Sequence, residues 1–249
     1  LVNRYWKHFF TRGLVHPEDD MRATNPASNP ELLDALAQTF IDSGYNLKAL
    51  IRLICQSATY QLDSHPNEVN EDDKQNFSRY YPRRLSAEVL LDAIDTVTGS
   101  TTTFTDLPTG TRAVQIPDRY GSMFFRSSGI KSYFLSVFGR SEGSSASECE
   151  RQSAASLAQS LHLLNGPEVQ KKIAGGRAKG LAADRQRTVE QKVRELYLLT
   201  YARPPKEWEI KLSMDRIAKR RNSNPQQDYA DILLDLIRSE QAYEDIIWV

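Results

Sequence analysis

The sequence carries no excess of charge of either sign. Thirty-two Lys and Arg stand against thirty-two Asp and Glu. That balance removes any global attraction to nucleic acid or to an anionic bilayer and leaves only local patches. No apolar run approaches the roughly 20 residues that a membrane-spanning helix needs. Cysteine is scarce. Cys55 and Cys149 stand far apart in the chain and read as thiols rather than as a disulfide framework. No C-x-x-C-H occurs, which excludes covalently attached haem within this chain. His8, His16, His65 and His162 are scattered without an i, i+4 pair, and no Cys/His spacing suits zinc. No metal or cofactor is therefore expected here. There is no internal repeat and no low-complexity tract. The opening Leu1-Val2-Asn3-Arg4-Tyr5-Trp6 shows neither an initiator Met nor a signal peptide. It reads as the interior of a helix, so the chain is expected to be a piece of a longer protein.

What is present is mostly helical periodicity. A chain of 249 residues with 40% hydrophobic content can bury a core without metal or disulfide. Aromatics alternate with basic residues in the first segment, where Tyr5, Trp6, Phe9 and Phe10 read as a core face. Ser28-Asn29-Pro30-Glu31 opens a helix carrying Leu32, Leu33, Leu36 and Phe40, and Gly44 stops it. Asn46 caps a second helix with Leu47, Leu50, Ile51 and Ile54 inward, predicting an antiparallel hairpin. Leu85 and Leu90 bracket a Ser86 cap, and Leu91, Ile94 and Val97 continue to Gly99. Residues 99–152 hold Gly, Pro, Ser and Thr clusters with two extended candidates, Arg112–Ile116 and Tyr133–Phe138. Helical spacing returns at Leu157, Leu161 and Leu164. It continues in Pro167–Ile173, behind the Thr188 cap, and after Pro204-Pro205. A last helix, capped by Asp228, carries Ile232, Leu233, Leu236 and Ile237.

The fold class that follows is mainly α: a helical bundle-like single domain over 1–249. Residues 1–98 form an N-terminal helical half, 99–152 an irregular segment with short strands, and 153–249 a C-terminal helical half. The Arg83-Arg84/Glu88 region and Cys149–Asn165 are expected to join the halves.

Candidate chemistry is sparse. Glu88, Asp92 and Asp95 share one helix, with Glu88 and Asp92 at i, i+4, and such carboxylates could do acid–base work on a sugar. Arg83 and Arg84 just upstream favour structural ion pairs instead. Cys149-Glu150-Arg151 precedes the helix of His162, where a thiol beside Arg could be activated or could simply pack. Gly139-Arg140-Ser141-Glu142-Gly143 matches G-x-S-x-G. It lacks the following helix and the surrounding βαβ alternation, and His162 is the sole downstream histidine. The candidate site residues are thus Arg84, Glu88, Cys149, Glu150, Arg151 and His162. Exposed rings among Tyr80, Tyr81, Tyr120, Phe124 and Phe125 would suit a carbohydrate-binding module.

Seven segments occur together in order: Asn3-Arg4-Tyr5-Trp6; Asp20 to Asp34, with Asn25-Pro26-Ala27-Ser28-Asn29-Pro30-Glu31 at its heart; Ser57-Ala58-Thr59-Tyr60; Tyr81-Pro82-Arg83-Arg84-Leu85-Ser86-Ala87-Glu88; Phe138-Gly139-Arg140; Cys149-Glu150-Arg151; and Leu163-Leu164-Asn165. In this combination the chain resembles the planctomycetal domain of unknown function 1553, the PSD-one domain, over nearly its whole length. The resemblance implies a C-terminal module of a large exported protein with cytochrome-c-like haem modules upstream, in a setting of polysaccharide degradation. It implies other domains of the same polypeptide as partners, with polysaccharide as a further candidate and haem only in those upstream modules. It supplies no catalytic residue set. The chain departs from the family pattern at Ser147, where a second Cys would stand, and at Ser141, where Pro follows Phe-Gly-Arg. These departures weaken both a thiol pair and the G-x-S-x-G reading. The expected function is an accessory interaction domain, with a glycan-active enzyme and a carbohydrate-binding module as alternatives.

Overall fold

The structure is a computed structural model that describes residues 1–105, 107–116, 132–140, 156–219 and 225–238. Its residues separate into two compact units, Leu1–Arg83 and Arg84–Val249. No helix among the described residues is long and apolar enough to cross a membrane.

The first unit is built on α1 (Val2–Phe10), α2 (Pro30–Asp42) and α3 (Leu47–Gln56). The side-chain oxygens of Asn29 and Asn46 accept the backbone N–H groups of Leu32 (2.9 Å) and Ala49 (3.1 Å). Each cap satisfies an amide that the helix itself cannot reach. Between α2 and α3 the chain turns through Gly44, at φ +67°. Tyr45 N–H reaches back to Phe40 O (3.0 Å), and the Tyr45 ring meets the Phe40 ring at 5.6 Å. These are the hydrogen bond and apolar contact of a Schellman stop. The core gathers Trp6, Phe10, Leu14, Leu36, Phe40, Leu50, Ile54 and Phe77. Buried Asn3 pins the following loop by exchanging hydrogen bonds with Val15 through both N–H and C=O.

The second unit comprises α4 (Ala87–Thr98), a 3₁₀ turn (Ala113–Gln115), α5 (Tyr133–Val137), α6 (Leu157–Asn165), α7 (Pro167–Ala174), α8 (Gly176–Ala183), α9 (Val189–Tyr201), α10 (Glu207–Lys219) and α11 (Pro225–Arg238). Its core runs from Leu91 and Ile94 through Phe134, Val169 and Leu181 to Val193, Leu196 and Leu233. Mainly α is the right class, and the short strands are corrected. Arg112–Ile116 holds the 3₁₀ turn because Asp92 accepts the N–H groups of Ala113 (2.7 Å) and Val114 (3.2 Å), curling the chain onto α4. Tyr133–Phe138 is helical because the Ser132 hydroxyl accepts Leu135 N–H (3.3 Å) and starts a turn.

Two more differences follow from local chemistry. Ser86 occupies the N-cap of α4 without a side-chain cap bond. α11 begins at Pro225, so Asp228 lies in its first turn rather than at its cap. α8 has no sequence signal, since Gly176 and Gly180 are poor helix formers. Its Ala178 and Leu181 are fully buried in the unit's core, so packing holds it together. At its start Gly176 (φ +35°) lies so close to α4 that a methyl group would sit 2.3 Å from Thr98 O. Gly44→Ala, in open space, is expected to cost about 1 kcal/mol from the left-handed backbone alone. Gly176→Ala is expected to cost clearly more. Equal urea midpoints for the two variants would contradict the close approach.

Candidate functional site

Three of the six candidates, Arg84, Glu88 and His162, lie in the second unit around the junction of α4, α5 and α6. Cys149, Glu150 and Arg151 lie outside the described residues. So do Ser141 to Gly143 of the G-x-S-x-G match and the rings of Tyr120, Phe124 and Phe125.

Glu88 stands in the first turn of α4 and is buried. It is paired with Arg140, whose Nε lies 3.4 Å from Glu88 Oε1, with both side chains nearly enclosed. Arg84 does not take that role. Its guanidinium donates to Gln159 Oε1 (3.2 Å). Gln159 is the hub of the junction. Its amide donates to Val137 O at the end of α5 (3.1 Å), and its carbonyl also accepts Ser156 N–H (3.3 Å) at the start of α6. Arg83, in the first unit, donates to the His8 carbonyl oxygen. The arginine partner of Glu88 was thus misassigned from sequence. Proximity along the chain favoured Arg83 and Arg84, whereas the true partner arrives with α5 from 52 residues away.

The rest of the α4 acidic row is also committed. Asp92 holds the 3₁₀ turn as described. Asp95 accepts from Ser100 Oγ (2.6 Å), from Thr102 N (2.8 Å) and Oγ1 (2.6 Å), and from the Lys172 ammonium. Burial works to raise the Asp95 pKa, but the bonds from Lys172, Ser100 and Thr102 outweigh it and hold the carboxyl below its ordinary range. Beside this network lies a cleft of about 340 Å³ lined by Ser100 to Thr103, Glu168, Lys171, Lys172, Gly175 and Gly176. Sequence reading did not single it out; the run Ser100-Thr101-Thr102-Thr103 was its one visible trace.

His162 is buried among rings. Its imidazole meets Tyr133 at 5.2 Å, Phe134 at 5.6 Å and Phe138 at 6.3 Å, all at steep angles. Its Nε2 has no hydrogen-bond partner among the described residues. Gly166 lies against the same ring, where a methyl group would come within 2.9 Å of Nδ1. Among the described residues no three His, Cys, Asp or Glu side chains are grouped to hold a metal ion.

The outer face of α6 is the surprise. Leu157, Leu161 and Leu164, at i, i+4 and i+7, are 75%, 47% and 38% exposed, while Leu163 on the opposite face is buried. A leucine row at helical spacing is the usual mark of a core-facing stripe. The helix instead buries His162 and Leu163 and turns its leucine row outward. Tyr133, on α5 and in contact with His162, is 69% exposed. By contrast Tyr80, a candidate for sugar stacking, is buried with its hydroxyl donating to Phe9 O (3.3 Å).

Comparison with known proteins gives one family. The family described as "PSD1: Protein of unknown function (DUF1553)" matches residues 1–216. No curated protein and no solved structure matches the chain.

Proposed function

The chain belongs to the DUF1553 family of proteins of unknown function, and from that premise we propose that it is an accessory interaction domain of a large exported protein. In this reading it docks against other domains of the same polypeptide and supports haem-linked or polysaccharide-processing modules. The observation that carries the reading is the outward leucine row of α6. Three leucines one helical turn apart, 38–75% exposed, with Tyr133 beside the same helix, leave apolar surface in water, a cost that a contact surface recovers on binding. The α4 carboxylates support the same side of the choice. A glycan hydrolase needs one carboxyl free to protonate a leaving oxygen and a second free to act as base or nucleophile. Here Glu88 is tied to Arg140, Asp92 to two backbone amides and Asp95 to Lys172.

Hydrogen exchange on the full-length protein tests this. α6 amides are expected to exchange more slowly there than in the 249-residue chain alone. The double substitution Leu157→Glu, Leu161→Glu is expected to erase that difference while shifting chain stability by no more than about 0.5 kcal/mol per site, because both side chains are exposed. Equal exchange in full-length protein and isolated chain would end the docking proposal.

A further inference from the structure

The cleft beside the Asp95–Lys172 network has no part in docking through α6. One side of it is the irregular run Ser100-Thr101-Thr102-Thr103, and the network holds that run in place. Ser100 and Thr102 donate their hydroxyls to the Asp95 carboxylate. Thr98 Oγ1 meets Ser100 Oγ at 2.8 Å, and Lys172 Nζ donates to Thr102 Oγ1 (2.7 Å). Alternate residues of the run therefore differ. Ser100 and Thr102 are half-buried and engaged, whereas Thr101 and Thr103 are exposed, with hydroxyls that have no hydrogen-bond partner among the described residues. Glu168 and Lys171 stand three residues apart on α7 and line the same cleft, and neither is in an ion pair among the described residues. Gly175 and Gly176 contribute backbone alone.

We propose that this cleft binds a neutral, polyhydroxylated ligand the size of one sugar ring, with Glu168 and Lys171 on its hydroxyls and Thr101 and Thr103 adding weaker bonds. The inference goes beyond the docking proposal and uses none of the α6 residues. The lining selects the ligand by exclusion first. Among the described residues no aromatic ring and no large aliphatic side chain lines the cleft, so nothing there holds a nucleobase or an acyl chain. Glu168 balances Lys171, and Asp95 balances Lys172, so no net charge favours an anion or a cation. What remains is two hydroxyls, one carboxylate and one ammonium, a mix of donors and acceptors. Neighbouring hydroxyls on a ligand both give and accept hydrogen bonds and so match that mix, and the two charged partners make the stronger bonds. At about 340 Å³ the cleft lies at the small end of ligand pockets, which run from about 300 to 1,000 Å³. That suits a single ring rather than an extended chain.

The test is titration of the isotope-labelled whole chain with methyl β-glucoside, with myo-inositol and with sodium sulfate, each alone, read by amide chemical shifts. At least one of the two neutral polyols is expected to give saturable shifts confined to residues 100–103 and 168–176, around the cleft. Sulfate is expected to leave those amides unmoved. Asp95 and Lys172 are kept intact because they hold the fold. Glu168→Gln and Lys171→Met, which break no ion pair among the described residues, are each expected to weaken polyol binding about tenfold, the worth of one hydrogen bond to a charged group. The double variant Thr101→Val, Thr103→Val is expected to lose less. Shifts that fail to saturate with either polyol, saturable shifts with sulfate, or unchanged affinity in both α7 variants would overturn the site.

Discussion

Asp95→Ala is expected to destabilise the second unit by about 3–5 kcal/mol, because it strands the Lys172 ammonium in a nearly closed site. The Lys172 side chain is 9% exposed and that of Asp95 14%, so water cannot readily take over. Ser100 and Thr102 lose their acceptor in the same stroke. The double variant Asp95→Ala, Lys172→Met is expected to recover part of the loss, since it removes the stranded charge as well. The pH dependence has a definite sign. The folded pKa of Asp95 lies below its ordinary 3.8, so the unfolded chain takes up the proton first. The stabilisation is therefore complete above that ordinary range and is lost as pH falls through the depressed folded value. Urea unfolding of native chain and single variant, followed from neutral pH downward, checks this. The gap between them should narrow only in acid, and a constant gap would remove Asp95 as its source.

Phe134→Ala is the second large effect, with about 3–5 kcal/mol expected for emptying a fully buried aromatic site. Phe134 has no exposed surface. It stacks on Phe138 at 4.4 Å and meets the His162 ring at 5.6 Å, so its loss opens a cavity at the junction of α4, α5 and α6. The Glu88–Arg140 pair hangs on the segment that follows Phe138, and loosening α5 is expected to expose it. Thermal unfolding together with proteolysis near Arg140 would show this. Phe134→Leu, which keeps most of the volume, is expected to lose much less. Comparable losses for Ala and Leu would mean that the cavity is not the cause.

Much of the fold was legible because its signals are local. Asn29 and Asn46 cap their helices through their own side chains, Gly44 stops α2 by its left-handed backbone, and Thr188 with Gln191 closes a capping box on α9. Trp6 and Phe10 sit at helical spacing and are core, as that spacing implies. The failures are equally physical. A β-branched or aromatic run such as Tyr133–Phe138 suits a strand or a short helix, and the Ser132 cap decided between them. α8 exists because Ala178 and Leu181 have a core to enter, which no propensity scale contains.

The candidate site was legible only as a list. Sequence picked Glu88 and His162, and both are buried and structured, yet it could not name Arg140 as the partner of Glu88 or Gln159 as the partner of Arg84. Nor could it tell which way α6 faces. Leu157, Leu161 and Leu164 form as good an amphipathic row as any in the chain, and periodicity fixes only that such a row shares one side.

By itself the sequence settled the helical class, most helix ends, the balance of charge and the family. Each of these depends on residues within a few positions of one another or on simple composition. Only the tertiary structure decided that the α4 carboxylates are each consumed by a distant partner and that the leucines of α6 look outward. Pairing and burial depend on which surfaces meet in space, and that is set by the packing of the whole unit rather than by any stretch of the chain.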